Sequence, residues 1–154
     1  MTPIKITLLL GVVFSLSASG TFGQKPPADK PAAEAKQVIT APSSAAYAEL
    51  LLKKTELQSD LESLVVEYTE EFPKVKEIRF VLGLFDRDIA RLAKVKQGDL
   101  GKMTVALGKL IVRKIELETD LWSLQRNYKD EHPDVKRAKR RVEIYENAIV
   151  EIIN

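Results

Sequence analysis

Residues 47–92 read YAELLLKKTELQSDLESLVVEYTEEFPKVKEIRFVLGLFDRDIARL, and residues 107–152 read LGKLIVRKIELETDLWSLQRNYKDEHPDVKRAKRRVEIYENAIVEI. A shift of 60 positions superposes the two stretches without a gap, as Leu50/Leu110, Lys54/Lys114, Leu57/Leu117, Leu61/Leu121, Tyr68/Tyr128, Pro73/Pro133, Val75/Val135 and Ile89/Ile149 show. Repetition at a fixed period means that each copy is one supersecondary unit, stabilised by burying its apolar face against a neighbour.

Each copy carries two stripes of helical period. Tyr47, Leu50, Lys54, Leu57, Leu61, Leu64 and Tyr68 alternate steps of three and four, and Leu107, Leu110, Lys114, Leu117, Leu121, Leu124 and Tyr128 repeat them. After the proline come Val75, Ile78, Leu82, Phe85, Ile89 and Leu92, matched by Val135, Ala138, Val142, Tyr145, Ile149 and Ile152. Such seams drive helix pairing of the coiled-coil kind.

Pro73 and Pro133 disfavour helical geometry at Phe72 and His132 and suit the first turn of a helix, so each proline is expected to end one helix and open the next. The fold class predicted is all-α: two tandem antiparallel helical hairpins, at 44–97 and 104–154, built from four long coiled-coil-like helices. Helices of about 22 to 28 residues would be about 33 to 42 Å long. Tyr68, Pro73, Tyr128, His132 and Pro133 mark the hairpin turns. Carboxylates at Glu70, Glu71, Asp130, Glu131 and Asp134 sit where the following helix presents its positive end. Between the copies, Gly98 and Gly101 mark a link, with Thr104 an N-cap matching Ser44. That link permits the copies to fold back on each other or to extend end to end.

Ahead of the repeats, Lys5 and the apolar run Ile6 to Ala18 read as an export signal over 1–23, with cleavage expected after Gly23 at Thr21-Phe22-Gly23, Ala18-Ser19-Gly20 a second site and retention as an uncleaved anchor the alternative. The run is shorter than the stretch of about 20 apolar residues that a membrane span requires. Residues 24–43 are rich in Pro, Ala and Lys, the composition of a disordered tether. The expected location is the periplasm or outside the cell, with no transmembrane span after signal cleavage.

With 24 Lys and Arg against 22 Asp and Glu, the net charge of +2 gives no overall pull toward nucleic acid, and no nucleic-acid partner is expected. The absence of Cys removes disulfides and thiolate ligands. No metal site, cofactor or catalytic constellation is legible: His132 is the single histidine, and its mate sixty residues earlier is Phe72. Glu116, Glu118 and Asp120 alternate along a helix and so diverge. The chain is therefore read as a non-enzyme.

Partner-facing candidates lie where the copies differ. Lys136, Arg137, Lys139, Arg140 and Arg141 gather positive charge at the beginning of the last helix, where its dipole disfavours it. They form a candidate patch for an anionic partner, a glycan or lipid headgroup, although a solvated face with pairs to Asp134 and Glu143 is the plainer reading. Phe80 and Val81 stand where copy two has Arg140 and Arg141. Phe80, Val81, Leu84 and Trp122 form a candidate apolar contact surface; its simplest cover is the other copy in a four-helix bundle, and self-association or a protein partner is the next. Trp122 replaces Glu62, so the copies are not interchangeable there. Lys54 and Lys114, polar residues in apolar seams, either specify register or snorkel.

The segment Tyr128-Lys129-Asp130-Glu131-His132-Pro133-Asp134-Val135, echoed by Tyr68 to Val75, resembles the turn of bacterial polysaccharide chain-length determinant and export proteins. In that family a Tyr-x-x-x-His-Pro-x-Val stretch reverses a long periplasmic coiled coil. The resemblance covers the turn alone, implies a bacterial envelope setting and carries over no activity residue. The family's flanking membrane spans, αβ base domain and kinase part have no counterpart here. The function expected is a non-enzymatic, exported coiled-coil interaction or scaffold protein of the bacterial envelope. The alternatives are a small helical periplasmic chaperone and an accessory factor in polysaccharide export. Any specific task is expected in the differences Phe80/Arg140, Val81/Arg141 and Glu62/Trp122.

Overall fold

The computed structural model describes residues 40–153. All regular structure among them is helical, in four long helices: α1 (Ala45–Val65), α2 (Pro73–Leu92), α3 (Val105–Gln125) and α4 (Pro133–Ile153). Short 3-10 turns at Ala41–Ser43 and Gln97–Lys102 lead into α1 and α3. The export signal and cleavage site read at 1–23, and the tether up to residue 39, lie outside the described residues. Among the described residues, regular structure begins at Ala41, just before the boundary expected at Ser44. Ala41 is buried within its 3-10 turn, and the Ser44 hydroxyl donates back to the Ala41 carbonyl at 2.7 Å.

Both first helices of the repeat are capped by hydroxyls. Ser44 accepts from the Tyr47 N–H and Thr104 from the Leu107 N–H, each at 3.3 Å, satisfying donors that a helix N-terminus leaves unpaired. Pro73 and Pro133 are the first residues of α2 and α4, where a missing N–H costs nothing. Phe72 is extended (φ −60°, ψ 129°), the conformation a following proline imposes.

The prolines do not end the preceding helices, contrary to the sequence-based expectation. α1 stops at Val65 and α3 at Gln125, and residues 66–72 and 126–132 form the connections. The helices are accordingly 20 or 21 residues long rather than 22 to 28. Tyr68 and Tyr128 fall outside the seams and stay exposed.

The remaining seam positions point inward. Leu50, Leu61, Leu107 and Leu117 are buried in α1 and α3, with Val75, Ile78, Phe85 and Leu92 in α2 and Val135, Ala138 and Ile149 in α4. Full burial of one such aliphatic side chain contributes about 1.5–3 kcal/mol. α1 packs on α2 and α4 on α3, while α3 also lies against both α1 and α2. That contact decides between the two arrangements the link allowed, since the copies lie side by side. Leu100 and Met103, buried at the end of the link, join the main core. The Met103 carbonyl accepts the Ala46 N–H at 3.1 Å, tying the first turn of α1 to the residue before Thr104.

The copies approach closely at Gly108. A Cβ there would meet Glu49 Cβ at 2.8 Å and the Ala46 Cα and carbonyl oxygen at 3.1 and 3.2 Å, so only glycine lets α1 and α3 pack at this separation.

Candidate functional site

The turn residues repeat in detail. Tyr68 stacks on Phe72 and Tyr128 on His132, both with ring centroids 4.2 Å apart. The Tyr68 N–H donates to the Leu64 carbonyl as the Tyr128 N–H does to Leu124, and Phe72 donates to Thr69 as His132 does to Lys129. Glu70 pairs with Arg79, and sixty residues on Asp130 pairs with Lys139. Hydrogen bonding from Arg79 holds the Glu70 carboxyl below its usual range, and bonds from Gln125 and then Lys139 do the same for Asp130. The two rings part in one respect: His132 Nδ1 accepts the Asp134 N–H at 3.2 Å, a cap that Phe72 has no atom to provide.

The seam lysines also repeat their pairing, and then diverge. Lys54 Nζ lies 2.5 Å from Asp86 and Lys114 Nζ 3.0 Å from Glu146, whose mate by the 60-residue shift is Asp86. Lys54 keeps partial access to water, with its side chain 23% exposed, but Lys114 is 3% exposed. An ammonium this deeply placed must be paired. The further partner is Asp88 of α2, 3.0 Å away and equally buried. Arg87 bridges Asp88 and Glu118 at 2.9 and 2.7 Å, and Arg91 reaches Glu146 at 2.6 Å. Three cations and three carboxylates thus form one neutral cluster joining α2, α3 and α4 beside a cleft of about 350 Å³. Partial burial disfavours the charged form of Glu146, yet the bonds from Lys114 and Arg91 outweigh it and hold the carboxyl below its usual range. Lys114 is thus buried and paired across the copies, whereas Lys54 keeps its ammonium within reach of water.

The four residues read as an apolar contact surface are engaged within the chain. Phe80 stacks on Trp122 with centroids 4.8 Å apart and planes 13° from parallel, and the Arg126 guanidinium lies 5.0 Å from the centre of the Trp122 ring. Val81 and Leu84 pack against the main core.

The basic residues lie on the outside. Lys136, Arg137, Arg140 and Arg141 are exposed and Lys139 is half-buried. Arg137 pairs with Asp134, Lys139 with Asp130 and Arg140 with Glu143. Lys136 and Arg141 have no ion-pair partner among the described residues. Arg141 borders a groove of about 490 Å³ whose lining includes both Asp120 and Asp134, so its charge is mixed rather than uniformly basic.

The differences between the copies therefore have a packing role first. Gly108, Ile111 and Ile115 of α3 are buried, while their mates Ala48, Leu51 and Thr55 on α1 are exposed. Phe80, Val81 and Leu84 of α2 are half-buried, while their mates Arg140, Arg141 and Ile144 on α4 are exposed. Each face is apolar where the other copy covers it and more polar where nothing among the described residues does.

Comparison with known proteins finds no family model, no curated protein and no solved structure that matches the chain. Among the described residues no group of three or more His, Cys, Asp or Glu is placed to hold a metal, and no helix is long and apolar enough to cross a membrane. The ionic cluster was not foreseen from sequence beyond Lys114. One signal was present: Asp88 falls on the helical stripe of Val81, Phe85 and Leu92, a carboxylate among apolar neighbours.

Proposed function

We propose that this chain is a non-enzymatic, exported interaction or scaffold protein of the bacterial envelope, built from two tandem antiparallel helical hairpins. The hairpin reading is supported by the pairs Lys54–Asp86 and Lys114–Glu146, which set the first half of one helix against the latter half of the next. It is supported further by the repeated turn hydrogen bonds.

The observation that carries the functional reading is the joining of the copies. Side chains that could catalyse are spent on a neutral, internally paired cluster that fixes register, while the outer faces keep large apolar side chains, Leu51, Leu52 and Ile144, about half exposed. A stiff unit with exposed apolar groups among charges is suited to contact protein. The chaperone and glycan readings gain no observation of their own, and the carboxylates beside Arg141 weigh against a polyanion.

The test is site-specific photo-crosslinking in a bacterial host, with the reactive side chain at Leu52 or Arg141 of the full chain and a control at Ser63. Protein adducts from the first two positions and not from the control are expected. Adducts from neither position reject the reading. Recovery from the periplasmic fraction with an N-terminus at Gln24 is the expected result for export, and a cytoplasmic product beginning at Met1 rejects that part.

A further inference from the structure

The contact between the copies has two sides. One is the α3 face carrying Ile111, Ile115, Glu118 and Trp122; the other is a seat on α1 and α2 that includes Lys53, Phe80 and Arg87. Because the copies are repeats, each side exists twice. The second α3-like face is on α1, and the second seat is on α3 and α4. Neither is covered by described residues: Leu51 and Leu52 are 45% and 56% exposed on the first, and Ile144 is 53% exposed on the second.

The side chains on these two faces complement one another. The Phe80–Trp122 stack corresponds under the 60-residue shift to Arg140 against Glu62, an ion pair in place of a ring pair. The Arg87–Glu118 ion pair corresponds to Asn147 against Gln58, two amides able to exchange hydrogen bonds. Lys53 and Glu116 line one groove at the joint, Lys53 pairing with Glu56 and Glu116 with Arg113 of their own helices, and their mates across the open faces are Arg113 and Glu56. The close contact of Ala46 with Gly108 has no exact counterpart: Ala48 stands at the mate of Gly108, and its Cβ would crowd Lys109 and Ala106, so the helices must sit further apart there. Charges placed only to block a sticky edge would serve best with one sign on both faces, as like charges repel. Here the seat offers Arg113 and Arg140, each paired with a carboxylate of its own helix, to Glu56 and Glu62 on the matching face.

We infer that the occupant of each open face is a second copy of this chain, docked head to tail so that the operation relating the two hairpins is repeated approximately, with a wider helix separation at Ala48 than at Gly108. The inference rests on the interaction reading above and names its partner. The contact is heterologous, since one chain offers its α1 face and the next its α3/α4 seat, so association is open-ended or closes as a ring. It is weaker than the internal joint, because no mate of Asp88 is available: Ala148 stands there. Arg140 must exchange its exposed partner Glu143 for Glu62, a small cost for a surface pair.

Sedimentation equilibrium of the full chain at rising concentration tests this. In a buffer of about 0.01 M salt, where screening extends about 30 Å, the mean mass is expected to at least double, and to return to that of one chain at about 1 M salt, where it extends about 3 Å. Glu62→Arg alone and Arg140→Glu alone should each abolish the association, having two like charges at the joint. Mixing the two variants should restore it, because each then meets a partner of opposite sign. A chain monomeric at low salt overturns the inference, as does association that both reversals leave intact or that mixing does not restore. Crosslinks from Leu52 to some other protein alongside a monomeric chain would end this inference and leave the interaction reading standing.

Discussion

Lys114 Nζ lies 3.0 Å from the Asp88 carboxylate across the boundary between the copies, with both side chains 3% exposed. Lys54, its repeat mate, is paired only with the exposed Asp86. Lys114→Met leaves Asp88 buried with Arg87 alone, and is expected to cost about 3 kcal/mol, the low end for breaking a buried pair because Arg87 remains. Lys54→Met keeps the stem and loses one surface pair, expected at under about 1 kcal/mol. Urea unfolding of the two variants measures the contrast; equal losses would show that the cluster does not join the copies energetically.

Glycine substitutions should separate two sites on long helices. Gly108→Ala adds a methyl 2.8 Å from Glu49 Cβ and close to the Ala46 backbone. The crowding is expected to destabilise by about 1–3 kcal/mol despite the helix preference of alanine. Gly83 has no atom within 4 Å of an added Cβ, so Gly83→Ala should stabilise by about 0.5–1 kcal/mol. Thermal melts followed by circular dichroism test both signs.

Acid should loosen the chain in a defined window. The Glu146 carboxyl sits below its ordinary value of 4.5 in the fold, held there by Lys114 and Arg91 against partial burial. The unfolded chain therefore binds more protons between the two values, and stability rises with pH across that interval. The contribution is complete above about pH 4.5 and is lost as pH falls through the depressed folded value. Glu70 and Asp130 act in the same direction. Urea midpoints from pH 7 to pH 3 should fall for the parent chain and fall less for Glu146→Gln; parallel curves would remove Glu146 from the explanation.

Trp122 is the single tryptophan of the chain and stands at the joint, stacked on Phe80. Because α3 packs on the helices of both copies, its fluorescence and the far-ultraviolet helix signal are expected to change together in urea, as one cooperative transition. Fluorescence changing at lower urea would mean that the copies part before their helices melt. Trp122→Glu, restoring the copy-one residue, is expected to cost about 1–2 kcal/mol through the lost stack and half-buried ring.

The sequence by itself determined the helical class, the two prolines that open α2 and α4, the hydroxyl caps at Ser44 and Thr104, and which seam residues face inward. Those features depend on backbone geometry and on 3.6-residue periodicity, both local and both written in residue order. The ends of α1 and α3 were not legible, because Tyr68 and Tyr128 continue the spacing of the seam while their rings stack on Phe72 and His132. The side-by-side docking of the copies belongs to tertiary structure alone, since a link that permits two arrangements is resolved only by the contacts each creates. The same docking set Arg87, Asp88, Arg91, Glu118 and Glu146 around Lys114, and of the covers open to Phe80, Val81 and Trp122 it chose the other copy. Burial is a property of what another segment covers, and a single chain read in order does not contain it.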